Sequence, residues 1–272
     1  MRFSGSEAWQ EAQAIVSRNR EIFLVMAGVF FLLPSLLVAL VYPQPEPQAG
    51  MTPEQTLALV ADFWKGAFPA YFVMGLFQTI GTLALLRLST DLTRPTVADA
   101  IKVGVAGLLT YLGAQILVGL GLGLAGGLLI AAAGVTGSKA LVAVAVIALV
   151  VAAVYLMLRT ALISAVIAIE AERNPVTGLR RSWDLTRGNT GALFVFFLLL
   201  ALAFAVILVV TMMVVGVALA LFTGSETAKT LAALVSAALT AGMSLYFIAA
   251  LASAHRQLAG RSEDPALGTT FE

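Results

Sequence analysis

Residues 103–138, VGVAGLLTYLGAQILVGLGLGLAGGLLIAAAGVTGS, run for 36 positions without a charge. About 20 apolar residues cross the roughly 30 Å hydrocarbon core of a bilayer, so the run holds either one long tilted helix or two short ones. The choice sets the side of the membrane on which everything downstream lies. A single crossing gives six spans, at about 22–42, 66–86, 103–133, 140–169, 191–222 and 230–254, and puts both termini on one face. Basic residues mark the cytoplasmic side of spans. On the single-helix reading that side holds Arg2, Arg18, Arg20, Arg87, Arg94, Lys102, Arg173, Arg180, Arg181, Arg187, Arg256 and Arg261, against Lys65, Lys139 and Lys229 outside. Two crossings would send Arg173 to Arg187 outward and ruin the asymmetry. The expectation is therefore an all-α polytopic membrane protein of six spans, with N- and C-termini cytoplasmic.

Composition agrees, at 60% hydrophobic and 11% charged residues, a balance that excludes a water-soluble fold. The chain has no cysteine, hence no disulfide framework, thiolate nucleophile or Cys-based metal site. A net charge of +1 gives no general attraction for nucleic acid. Ahead of the first span, residues 1–20 read as a cytoplasmic amphipathic helix with Trp9, Ala12, Ile15 and Val16 on one side, lying on the membrane surface. No small-residue cleavage site follows, so the first span is expected to stay in place. Pro34 is expected to kink that span. After the Pro-rich linker PQPEPQAG, Thr52, Pro53 and Gln55 make a capping box, which predicts a short external helix to about Trp64 before the second span. The brief connections at 134–139 and 223–229 predict antiparallel neighbours for spans three and four and for five and six. A polar tail occupies 259–272.

Glycines 119, 123 and 127 fall at intervals of four on one helix face, a pattern that lets a neighbouring backbone approach, so Gly119, Gly123 and Gly127 are read as packing positions. A weak repeat links Arg94, Pro95 and Val97 to Arg173, Asn174, Pro175 and Val176. Each is expected to launch a surface helix into the next span.

The most informative polar stretch is 159–191, RTALISAVIAIEAERNPVTGLRRSWDLTRGNTG. Asn174 is an N-cap, Pro175 takes the first turn and Gly188 terminates. Between them Val176, Leu179, Trp183 and Thr186 form an apolar face opposite Arg180, Arg181, Asp184 and Arg187, the composition of an interfacial helix. Arg180 and Asp184 are spaced to pair. Arg159, Glu170 eleven residues on and then PVTGLRRSWDLTRGN resemble the membrane domain of glycerophosphoryl diester phosphodiesterases and the YciC-like bacterial inner-membrane proteins. The opening AWQEAQAIVSRNREIFLVMAGVFFLLPSLL is similar to that family's first span. The resemblance implies a six-span bacterial inner-membrane protein. It does not imply phosphodiesterase activity, because the catalytic domain of those enzymes is a separate barrel rich in metal-binding Glu, Asp and His, whereas His255 is the only histidine here.

Arg159 is the single charge inside a span, and such charges are functional candidates. Its position also suits snorkelling to the headgroups or pairing with Glu170 or Asp184. The leftover apolar residues 160–169 imply either strong tilt or helices four and five protruding together. Arg180, Arg181 and Arg187 form a candidate anion site, since the guanidinium fork fits phosphate; the plainer reading is orientation and contact with bulk anionic lipid. Trp183, Glu170, Asp184, Gln78 and Gln115 are read as a structural polar network, with Gln78, Thr82 and Gln115 bonding between helices. His255 reads as an interfacial residue. No catalytic constellation, metal site or cofactor site is visible; Glu170 beside His255 would reopen the case for an enzyme. The expected function is non-enzymatic, through membrane phospholipid, a protein partner or a homo-oligomer, in membrane homeostasis. The alternative is a small transporter or permease subunit for a lipid or small solute, which requires a cavity near Gln78 and Gln115.

Overall fold

A computed structural model describes residues 3–45, 50–90, 95–222 and 225–260, which are helical with no strand among them. Arg2, Arg94, Arg261, linker residues 46–49 and the tail 261–272 lie outside the described residues. Six stretches are long and apolar enough to cross a membrane.

Helix α1 (Gly5–Arg18) precedes a first span made of α2 (Arg20–Ala27), one π-helical turn (Gly28–Leu32) and α3 (Leu33–Val41). Pro34 lacks an N–H and its ring would meet the carbonyl four residues back. The widened turn stands just before it, with the Leu33 N–H reaching back to the Gly28 carbonyl. Phe30 and Phe31 are buried on that turn. Phe30 sits against Gly81, where a Cβ would collide with it.

Helix α4 (Pro53–Leu88) starts at the expected capping box: the Gln55 N–H donates to Thr52 Oγ1 at 3.2 Å, and the Thr52 N–H donates to Gln55 Oε1 at 2.9 Å. The external helix and second span prove to be one continuous helix of 36 residues with Pro69 inside it. The run that decided the topology is likewise one helix, α5 (Val97–Val135). Its 39 residues at about 1.5 Å each reach roughly 58 Å, about twice the hydrocarbon thickness of about 30 Å. Thr96 caps α5 directly, accepting from the Asp99 N–H at 3.2 Å. No separate surface helix intervenes, so the repeat suspected at Pro95 and Pro175 does not extend to structure.

The fourth span departs most from expectation. Helix α6 (Lys139–Thr160) stops immediately after Arg159, Ala161 and Leu162 interrupt the helix, and α7 (Ile163–Ile169) follows, the whole stretch Lys139–Ile169 being long and apolar enough to cross a membrane. Residues 160–169 pack on helices other than that of the fifth span. Leu162, Ala165, Val166, Ile167 and Ala168 are fully buried. Helices α4 and α5 and two later ones, α8 (Pro175–Thr186) and α10 (Ser225–Ala259), enclose α7. Two glycines of α5 allow this closeness. A Cβ on Gly107 would lie 2.8 Å from Ile167 Cγ2, and one on Gly104 would lie 2.6 Å from the Ile80 carbonyl oxygen.

The glycine stripe is corrected by the same comparison. Gly119, Gly123 and Gly127 face outward with nothing near an added Cβ, whereas Gly104, Gly107 and Gly126 make the tight contacts. Helix α9 (Thr190–Phe222) packs on α10, and α5 on α6, as the short connections require.

Helix α1 does not rest its apolar face on lipid. Ala8, Ala12, Ile15 and Val16 are buried, mainly against α10. Glu11 accepts from Ser253 Oγ at 2.6 Å and pairs with Arg256 at 2.8 Å, and Arg256 also donates to the Ser89 carbonyl. The Phe3 N–H donates to Asn189 Oδ1 at 2.8 Å. These contacts draw the start of the chain, the ends of α4 and α10 and the start of α9 to one end of the bundle, here called the basic end.

Candidate functional site

Asn174 starts α8 as expected, its side chain accepting from the Val176 and Thr177 N–H groups. Gly188 ends it at φ +82°, a left-handed conformation that glycine adopts without a Cβ clash. The buried face, however, is Gly178, Ser182, Leu185 and Thr186; of the expected apolar face only Thr186 is fully buried, and Leu179 is half-buried against the core. Val176 and Trp183 remain exposed.

Ser182 and Thr186 lock α8 onto the end of α6. The Ser182 hydroxyl donates to the Arg159 carbonyl at 2.9 Å, and Thr186 Oγ1 accepts from Arg159 Nη1 at 3.4 Å. Arg159 itself is 7% exposed. Its Nε donates to the Tyr155 hydroxyl at 3.0 Å and its Nη1 to the Trp183 carbonyl at 3.1 Å. The guanidinium carbon lies 4.6 Å from the Trp183 ring centroid and 5.4 Å from that of Tyr155. The two rings meet edge to face at 5.8 Å. Cations over such faces are attracted by the ring quadrupole, by about 0.5–2 kcal/mol.

The partners expected for Arg159, Glu170 and Asp184, are not there. Among the described residues no carboxylate pairs with it. Its Nη2 has no protein partner, yet no buried side-chain nitrogen or oxygen lacks one. Nη2 therefore reaches the surface. The site is a cation fixed by neutral acceptors and two aromatic rings, with one donor arm presented outward.

The other arginines divide. Arg180 and Arg187 are exposed, and Arg180 forms no ion pair with the equally exposed Asp184. Arg181 is tied through its Nε, which donates to both Glu170 oxygens at 3.2 and 3.0 Å. Glu170 also accepts from His255 Nε2 at 2.8 Å. Burial alone would raise the Glu170 carboxyl, but the bonds from His255 and Arg181 outweigh it and hold the pKa below the ordinary carboxylate value. An ionised Glu170 only accepts, so the Nε2 of His255 carries the proton toward it. His255 is thus a buried tie between α7 and α10, at 4% exposure, rather than an interfacial residue. The pairing that would reopen an enzymatic reading is present, but both carboxylate oxygens are committed to holding helices together.

A second feature lies between the spans beyond the α6–α7 turn. A cavity of about 730 Å³ and an adjoining one of about 350 Å³ share Phe31, Thr82, Tyr111, Ser164, Thr240 and Ser244 as lining. Gln115 lines the larger and Gln78 the smaller. Gln78 bonds between helices as expected, its Nε2 donating to Ser35 Oγ at 3.1 Å. Gln115 does not: its Nε2 donates to Tyr111, one turn back on its own helix, at 2.9 Å. Thr82 also stays within its helix, donating to the Gln78 carbonyl.

Sequence reasoning missed Tyr155, Ser182 and Thr186 around Arg159, and Ser164 and Tyr111 in the cavity. Tyr155 with Arg159, and Ser182 with Thr186, stand four residues apart, which places each pair on one helix face; that spacing was the available signal. Nothing local marks Glu170 and His255 as neighbours.

The chain belongs to a family described as a domain of unknown function, DUF7847, which matches residues 6–258. No curated protein and no solved structure matches it.

Proposed function

We propose that this chain is a non-enzymatic inner-membrane protein, with both termini cytoplasmic, that holds anionic phospholipid at Arg159 as part of membrane homeostasis. One observation carries the reading: a guanidinium fixed at 7% exposure without any carboxylate among the described residues. A buried charge is costly unless it is paired, and the outward Nη2 leaves room for a lipid phosphate to supply the counter-charge. Trp183 and Tyr155 suit this depth, since amphipathic rings favour the headgroup level. Exposed Arg180 and Arg187 add attraction toward the same leaflet. The grouping of basic residues at the end bearing both termini supports the orientation.

Native mass spectrometry of the purified protein with phosphatidylglycerol tests the reading. Arg159→Met keeps a long side chain against Trp183 and is expected to retain about tenfold less of the lipid, the loss of one charge-assisted hydrogen bond. Equal retention by a folded Arg159→Met protein refutes it. Arg181→Ala, by contrast, is expected to change retention little, because Arg181 is held by Glu170.

The cavity favours a second reading, a transporter or permease subunit moving a lipid or small solute. Because the chain has no cysteine, a single Thr82→Cys reports access cleanly. Labelling by a water-soluble maleimide from both sides of sealed vesicles supports passage; labelling from neither side removes it.

A further inference from the structure

The two adjoining cavities carry no charged side chain in their lining, but seven hydroxyl residues line them: Thr79, Thr82, Tyr111, Thr160, Ser164, Thr240 and Ser244. Five of these have their protons engaged, Thr160 by donating to the Leu156 carbonyl at 2.9 Å. Thr79, Thr82, Thr240 and Ser244 each donate to the carbonyl four residues back at 2.8 Å. Their oxygens can still accept. Tyr111 receives the Gln115 amide, which leaves its own proton free to donate. Ser164 is 6% exposed, has no hydrogen-bond partner among the described residues and lines both cavities, so its hydroxyl is open to a ligand there. It can both donate to and accept from a polar group bound there.

The position is built rather than incidental. Ser164 stands at the start of α7, just after the helix is interrupted at Ala161 and Leu162, and that break lines the cavity with Thr160, Ala161, Ile163 and Ser164. Phe31, from the π-helical turn of the first span, forms part of both walls. Such single π-turns recur at functional sites. The volume lies within the range of about 300–1,000 Å³ of small-molecule sites, which are apolar with a few placed polar groups.

We infer that this cavity holds the uncharged, hydroxyl-bearing head of a single lipid, with its chains leaving between the outward-facing helix halves. The absence of charge from the lining selects against an ionised head, which would be desolvated without a counter-ion. The excess of acceptors over donors selects a head that donates, a hydroxyl rather than a bare ester or ketone. Two lipid chemistries present that group, a diacylglycerol and a long-chain prenol. The site is distinct from Arg159, and occupancy does not depend on whether the lipid is carried across.

Equilibrium binding to the full-length protein in nanodiscs tests it, with fluorescent dioleoylglycerol as probe and geranylgeraniol, the methyl ether of dioleoylglycerol and phosphatidylglycerol as competitors. The wild type is expected to bind the diacylglycerol, the prenol or both, and displacement by geranylgeraniol tells which source the site takes. The isosteric double variant Thr82→Val with Thr240→Val keeps shape and is expected to bind about tenfold more weakly, the loss of two hydrogen bonds. Ser164→Ala is expected to weaken binding severalfold. Binding of neither alcohol, equal competition by the methyl ether or by phosphatidylglycerol, or an unchanged double variant overturns the inference. Arg159→Met is expected to leave this binding intact, so failure here and failure at the arginine site are read separately.

Discussion

The two ends of the bundle are built on different terms. At the basic end Leu83 to Leu86, Leu162, Ala165 to Ala168 and Ala249 to Ala254 are buried, and polar side chains find partners across helices. At the opposite end long apolar side chains face outward, with Val135 at 90% exposure and Leu128 at 73%. Both regions are apolar in sequence, so hydrophobicity alone does not cause packing here. Between spans, lipid tails are as apolar as leucine and reward contact little; small residues and interhelical hydrogen bonds decide it. The basic end has both, in Gly104, Gly107, Ser182, Thr186 and Glu170. The opposite half has few, and cavity space remains between its helices.

The largest expected effect comes from spoiling the closest approach. Gly104→Ala places a methyl 2.6 Å from the Ile80 backbone oxygen, which cannot swing aside as a side chain can. Overpacking of this kind costs about 1–3 kcal/mol. Gly123→Ala, on the open face of the same helix, is expected to be neutral or to stabilise by about 0.5–1 kcal/mol through helix propensity. Thermal unfolding in detergent separates the two. If both substitutions behave alike, the contrast between the ends is wrong.

Next in size is the charge cluster that ties α7, α8 and α10. Glu170→Gln leaves Arg181 without its carboxylate and His255 with a weaker acceptor, at an expected cost of about 1–3 kcal/mol near neutral pH. The pH dependence has a definite sign. The folded-state pKa of Glu170 is lowered from its ordinary 4.5, so its contribution is complete above that value and is lost as pH falls through the lower folded-state value. Asp99 is lowered too, first through its bond from Thr96, so the informative quantity is the difference between wild type and variant. That difference is expected to shrink steadily below about pH 4.5. A gap that stays constant into acid would show that the carboxylate charge is irrelevant.

The same contrast explains what could be read from the chain. Caps were legible because they are local: Thr52 with Gln55, and Asn174, Pro175 and Gly188, act within one turn. The six spans were legible from length and absence of charge, and α5 as one helix from the placement of arginines. The course of residues 160–169 was not, since an apolar decapeptide looks the same whether it meets lipid or is wrapped by four helices. Nor was the glycine face. Gly119, Gly123 and Gly127 have the better pattern, but Gly104 and Gly107 have the neighbours, and only the path of α4 and α7 decides that. For α1, the small Ala8 and Ala12 one turn apart suited docking on another helix better than resting on lipid. Arg159 showed its charge in sequence and hid its partners, two rings and a set of carbonyl and hydroxyl oxygens rather than an acid.

The smallest expected effect falls where the buried segment returns to the surface. Ala171 adopts φ +56° directly after Glu170, a left-handed conformation that costs an L-residue about 1–2 kcal/mol. Glycine avoids that clash but gives up about 0.5–1 kcal/mol in unfolded-state freedom. Ala171→Gly is therefore expected to stabilise by at most about 1 kcal/mol, seen as a rise of about 2–4 °C in Tm. The sign carries the information. A rise means the surrounding contacts of Glu170 with Arg181 and His255 already fix the exit of α7, and the alanine is merely tolerated there. A fall means the limited freedom of Ala171 helps aim the carboxylate, so the packed end depends on its backbone as well as on its side chains.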